Sequence, residues 1–222
     1  MTRKEQSEAI LQAHHIKINP LLPDIGEATV KSPEILLKRA LTALLTAQIA
    51  IDAAEGRDVT GSALFFRSIL RRFGLEQELT PDEAKFFALA EPTAPAVSES
   101  DAVQITWRIE MCMPLFWACG LIPGELNYPD TVADCTDLIR RINACKDFDA
   151  LMQTVSMRPD DEILDHADLI YRMDWACVDA LLKQEPATGG LSYDIVAERH
   201  RGFNWMISAY DAENWDDVKA HT

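Results

Sequence analysis

The chain reads as an all-α protein, an irregular multi-helix globular bundle with long loops and little or no β-sheet. Three observations predict this. Apolar residues recur three and four apart along most of the sequence, the segments so patterned open on capping residues and close on glycine, and no stretch keeps the period-two alternation of a half-buried strand. With 222 residues, 48% of them hydrophobic, the chain can enclose a substantial core. A single helical domain over 1–222 is expected, any subdomain boundary falling in the loop 91–101.

In chain order, Thr2 to His15 predicts a short charged amphipathic helix, and Ile16 to Lys31, interrupted by Pro20, Pro23 and Gly26, a looped link. Ser32-Pro33-Glu34 opens the next helix with an N-cap, a first-turn proline and an acid at the positive end of the dipole. Leu37, Ala40, Leu41, Leu44 and Ile51 form its buried stripe as far as Gly56. A helix from about Gly61 to Phe73 stops at Gly74. Thr80-Pro81-Asp82-Glu83 starts another, with Thr80 and Glu83 as a capping box. Residues Pro81 to Lys85 resemble nuclease carboxylate-lysine motifs only in their letters, because those place their acids on separated elements.

Glu91 to Asp101 is a loop. Periodicity returns from Asp101 to Cys119, with Ile105, Ile109, Cys112, Phe116 and Cys119 on one side, and Pro114 is expected to kink or break this helix. After an exit turn over Gly120 to Pro129, shorter helices are expected over Val132 to Cys145, with Thr131 as cap and Asp134 as first-turn acid, and over Asp147 to Val155. A long helix then runs from the Arg158-Pro159 start to Gln184, with acids at its positive end and Leu164, Ala167, Tyr171, Val178 and Leu182 along one side. Gly189-Gly190 precedes the last helix, expected to end near Tyr210.

Charge excludes some partners. The 21 Lys and Arg against 36 Asp and Glu give a formal net charge of -15, which opposes nonspecific attraction to nucleic acid or to anionic membranes. Residues 1–90 hold 11 basic and 12 acidic residues, leaving 10 and 24 in 91–222. The second part therefore presents an acidic solvated face or a docking surface for a basic partner. Five cysteines without a C-x-x-C pair, and a charged start at Arg3, Lys4 and Glu5, fit a reducing cytoplasm. The apolar run from Ala40 to Ile51 is too short to span a bilayer.

Nucleotide loops, the nucleophile elbow and the H-E-x-x-H zinc motif are absent, and no cofactor is implied. Asp165-His166-x-Asp168 reads as a solvated helix face, since the two acids lie about 60° apart with His166 elsewhere. His14-His15 reads as a cation at a helix C-terminus, and Cys177 as a buried free thiol.

The most informative stretch is Ile195 to Ile207. At helical spacing Arg199 and His200 share a side with Ile195, Val196, Phe203, Met206 and Ile207. A cation carried toward a core costs several kcal/mol unless a partner meets it (about 3–5 where one partner of a buried pair is lost), so a buried or cleft-lining polar cluster is expected. Its members are Arg108 and Glu110, with Trp107, on one helix; Asp168, Arg172 and Asp174 on the long helix; and Glu198, Arg199, His200 and Asn204 on the last. Asp168 can pair with Arg172, and His200 with Asn204, along their own helices. The cluster is either a closed network that fixes helix packing or the wall of a ligand cleft.

The letters S-P-E-I-L-L-K-R-A-L (32–41), T-W-R-I-E (106–110), F-W-A-C-G (116–120), R-P-D-D-E-I-L-D (158–165), Y-R-M-D-W-A (171–176), E-R-H-R-G-F-N-W (198–205) and W-D-D-V (215–218) resemble the bacterial family of domains of unknown function numbered 4272. The likeness spans nearly the whole chain. Asp174, where the family tends to have His, and Pro114 depart from the pattern. The resemblance implies the fold and the cluster and supplies no reaction.

Two functions follow as expectations. One is a soluble binding or interaction protein whose acidic part meets a basic partner, or whose cluster holds a small polar ligand. The other is a hydrolase or transferase with His200 as general acid or base, oriented by Glu198, Asp168 or Asn204, and an arginine holding an anionic substrate.

Overall fold

The structure is a computed structural model that describes residues 1–91, 93–209 and 214–221, and among these residues there is no β-strand. Thr2 caps α1 (Arg3–Ala13) in a capping box with Glu5. Ser32 caps α2 (Pro33–Ala54) through the amide of Ile35, as its S-P-E start predicts. Asp58 caps α3 (Val59–Arg72), and Thr80 with Glu83 forms the expected capping box of α4 (Pro81–Ala88). Then come α5 (Glu99–Thr106), α6 (Arg108–Ala118), α7 (Thr136–Ala144), α8 (Phe148–Met152), the long α9 (Asp160–Lys183), a 3-10 turn at Thr188–Gly190 and α10 (Tyr193–Met206). None of the described helices is long and apolar enough to cross a membrane.

α2 is the hub. It packs against α3, α4, α5 and α6, while α10 lies on α6 and α9, and α1 lies on α9. With neighbours around its middle it buries far more than a stripe: Leu36, Leu37, Leu41, Ala43, Ala47 and Ile49 are all fully buried, and Ile51 is half-buried.

Four local expectations change. The break in the 101–119 helix falls at Trp107, not at Pro114, which lies buried inside α6. A proline removes only its own N–H and crowds the carbonyl four residues back, and α6 continues through it. α7 starts at Thr136, with Cys135 and not Thr131 at its cap position, because the Ala133 amide is drawn to Glu110 Oε1 at 2.6 Å. Leu182 of α9 is 80% exposed and Val178 half-buried. A single stripe does not describe a helix with α1 on one side and α10 on another, and those contacts bury Asp168, Arg172 and Asp174 instead. α10 ends at Met206, and the expected end near Tyr210 lies outside the described residues.

One contact sets the spacing of α6 and α10. A Cβ built on Gly202 would stand 2.2 Å from the Met111 carbonyl oxygen and 3.3 Å from Pro114 Cγ, so only glycine permits this approach.

Candidate functional site

The predicted polar residues are brought inside, but as separate pairs and not as one cluster. Arg172 forks onto Asp168 at 2.8 and 3.0 Å within α9, and its third nitrogen, Nη1, has no hydrogen-bond partner among the described residues. The same Nη2 donates to the Pro23 carbonyl at 2.9 Å, and Asp168 accepts the Ile25 amide at 3.2 Å. Asp168, read as solvated, is therefore fully buried, and the pair pins the 16–31 link to α9.

Arg199 faces α6. Its Nε donates to Glu110 Oε2 at 2.9 Å, Nη1 to the Asn127 carbonyl at 2.6 Å and Nη2 to Asn127 Oδ1 at 2.8 Å. His200 faces α9, its Nδ1 2.8 Å from Asp174 Oδ2. At 1% exposure it is sealed, and neither its Nε2 nor Asp174 Oδ1 finds a partner among the described residues. The expected His200–Asn204 pair does not form, because Asn204 Nδ2 donates to the Lys219 carbonyl at 3.0 Å. Arg108 reaches forward to Asp216 at 2.6 Å, and Glu198 accepts from Arg201 at 2.7 Å. Among the described residues, Arg108, Arg172 and His200 thus share no hydrogen-bond partner.

A cleft opens where these pairs hold neighbouring segments apart. Its volume is about 540 Å³, between α1, α9 and the 121–131 connection. Its apolar wall includes Ile10, Leu126, Leu169, Ile170, Met173 and Phe203, and Arg199 reaches it from α10. Polar residues at its edges are cross-braced: Arg3 meets Asp165 at 2.8 Å, Arg158 meets Glu162, and His166 meets Glu125 at 2.6 Å. The connection hangs on side chains. Arg158 donates to the Gly124 carbonyl at 2.6 Å and lies over the Trp117 ring at 4.4 Å, while Tyr128 donates to the Gly189 carbonyl at 2.6 Å. A second cavity of about 410 Å³ lies on its other side, sharing Glu125, Leu126 and Asn127 as a wall.

A family model described as "Domain of unknown function (DUF4272)" matches residues 3–218. The chain belongs to this family. No curated protein and no solved structure is found to match it. In this DUF4272 chain the two departures named above have different fates: Pro114 sits inside α6 against α10, whereas Asp174 supplies the acceptor for His200.

Sequence reasoning missed several polar groups in this DUF4272 chain. Arg39 and Glu83 form a buried pair with Thr42 beside them. Burial pushes the Glu83 carboxyl above the usual range, against the pull of Arg39. Their signal was present, since Arg39 stands in the apolar face of α2 and Glu83 in a capping box. Asn127, in the exit turn, carried none. Asp216, inside the W-D-D-V motif, accepts from Arg108, from Thr80 at 2.9 Å and from the Asp82 amide at 3.2 Å. Burial pushes its carboxyl up, but the Arg108 and Thr80 hydrogen bonds and the Arg108 charge outweigh that and hold it below the usual range. Burial raises the Glu198 carboxyl despite Arg201, and it raises the Cys177 thiol to about 12, with Asp174 adding to the shift.

Proposed function

We propose that this protein is a non-catalytic binding protein that takes a small molecule in the cleft between α1, α9 and the 121–131 connection. The cleft itself carries the reading: about 540 Å³ lies within the range of small-molecule sites, and an apolar wall with a few fixed polar groups is their usual lining. In this reading Arg199 is a positioning residue. It holds Asn127, and with it one wall, while Glu110 balances its charge.

The enzyme reading has weaker support. A general acid or base must come within hydrogen-bond reach of its substrate, and His200 is buried and lines neither of the two cavities described. A thiol held near 12, as at Cys177, is a poor nucleophile at neutral pH. A cytoplasmic location belongs to the same proposal, supported by the five free cysteines. So does a single domain, supported by the packing of α2 against helices on both sides of the 91–98 loop.

The test is ligand-detected NMR with a mixed small-molecule set against the native protein and Leu169→Trp, which fills the half-buried α9 wall. Compounds that bind the native protein and lose their signal with Leu169→Trp are expected. Compounds that bind both proteins equally, or none that binds at all, would overturn the cleft as a ligand site.

A further inference from the structure

We infer that the ligand of this cleft is a cationic amphiphile, an apolar body ending in a primary amine. This inference rests on the cleft being a ligand site. It comes from asking which lining groups still have hydrogen-bonding capacity to offer.

The donors of Arg199, Tyr128 and His166 are already engaged. Each nitrogen of Arg199 donates to Glu110 or Asn127, and Tyr128 donates its hydroxyl hydrogen to Gly189. Both ring nitrogens of His166 face oxygens, the Glu162 carbonyl at 3.0 Å and Glu125 Oε2 at 2.6 Å.

The acceptors are only half engaged. Glu125 uses Oε2 for His166, Glu162 uses Oε1 for Arg158 and Asp165 uses Oδ1 for Arg3. The second oxygen of each accepts no further hydrogen bond from the described residues, and all three side chains line the cleft. A phenolic oxygen that donates can still accept, so Tyr128 adds to the acceptor side.

A separate observation lies deeper in the wall. Ser7 of α1 lines the cleft at 2% exposure, and its hydroxyl makes no hydrogen bond to any described residue. A ligand N–H directed at Ser7 Oγ would find an acceptor there.

Charge points the same way. Glu125, Glu162 and Asp165, with Asp161 beside Arg3, face Arg3, Arg158 and His166 at this rim, and the chain as a whole carries -15. An anionic ligand would meet three carboxylates, with the one lining guanidinium already committed to Glu110 and Asn127. A neutral ligand would leave their open lone pairs to water. An ammonium group supplies three N–H donors and the opposite charge, while the wall of Leu169, Ile170, Met173 and Phe203 takes the apolar body.

The experiment uses three matched probes, 4-phenylbutylamine, 4-phenylbutanol and 4-phenylbutyrate, titrated by calorimetry into the native protein, Glu125→Gln/Asp165→Asn and Leu169→Trp. Gln and Asn keep an oxygen for His166 and Arg3, so the double variant retains the cross-braces. The amine is expected to bind the native protein ~10-fold tighter than the alcohol and the butyrate more weakly than either, a charged contact in a partly open site contributing about that factor. In the double variant the amine should fall to the alcohol's affinity, with the alcohol changed less than about twofold.

Equal binding of amine and alcohol to the native protein would overturn the amine inference and leave the cleft standing. So would preference for the butyrate, or undiminished amine binding by the double variant. Absence of binding by all three probes, or binding unaffected by Leu169→Trp, would overturn the cleft reading as well.

Discussion

Arg199 and His200 are consecutive residues of α10 that serve opposite junctions. The Arg199 junction joins α10, α6 and the 121–131 connection, and every nitrogen of the guanidinium has a partner. Among the described residues the His200 junction joins α10 to α9 through one side-chain hydrogen bond, and both groups keep an unpartnered atom. The two are equally sealed, at 2% and 1% exposure. They differ in satisfaction, and that should decide their energetics. A buried charge whose bonding positions are filled is costly to disturb, whereas a half-satisfied buried pair contributes little beyond what apolar residues of the same shape would give.

The largest effect expected is therefore at Arg199. Arg199→Ala leaves Glu110 buried without its counter-charge and releases Asn127, and should destabilise by ~3–5 kcal/mol in urea denaturation. A loss under about 1 kcal/mol would put Arg199 on the same footing as a surface ion pair and erase the contrast.

The second test replaces the other junction as a unit. Asp174→Leu combined with His200→Phe should match the native stability or exceed it by up to about 2 kcal/mol, because two incompletely bonded groups are exchanged for packing. A marked loss in the same denaturation assay would show that the pair is better satisfied than its geometry indicates.

The smallest effect calibrates the comparison at a junction nearer solvent, Arg108 with Asp216. Asp216→Asn should cost about 0.5–1 kcal/mol at neutral pH, screening by water reducing the pair's value. Because the Asp216 carboxyl is held below the ordinary aspartate range, its stabilising contribution is complete above that range. It fades as pH falls through the folded-state value. The stability gap between native protein and Asp216→Asn should narrow as pH falls through and below the ordinary aspartate range. A gap that stays constant would mean that the aspartate charge contributes nothing.

Much of this contrast could be read from spacing. Arg199 and His200 fall in the apolar face of a 3.6-residue period, and Asp168 with Arg172 at four apart, so their burial and one pairing followed directly. Their remote partners did not. Asn127 lies in an irregular segment, and nothing periodic marks which carbonyl a guanidinium will find. The cleft was invisible for the same reason, since one of its walls is the 121–131 connection, whose position is fixed by single side chains such as Arg158 and Tyr128 and by no repeating pattern. Pro114 misled because the proline rule concerns one hydrogen bond. Trp107 gave no warning because helix breaks without glycine or proline depend on what packs around them. Leu182 misled because periodicity identifies a face but not the point along a helix where its neighbours end.

The Gly202 contact gives the molecule two unequal kinds of mobility. With a helix backbone resting directly on the Met111 carbonyl, no flexible side chain lies between α6 and α10 at that point to absorb a shift, so these helices are expected to move together. The layer that meets the cleft from outside is built differently, hung on long, jointed arginine and tyrosine arms. Any breathing of the cavity must therefore originate in that layer, and amide exchange should be slowest along the helices meeting at this glycine and faster across the 121–131 connection.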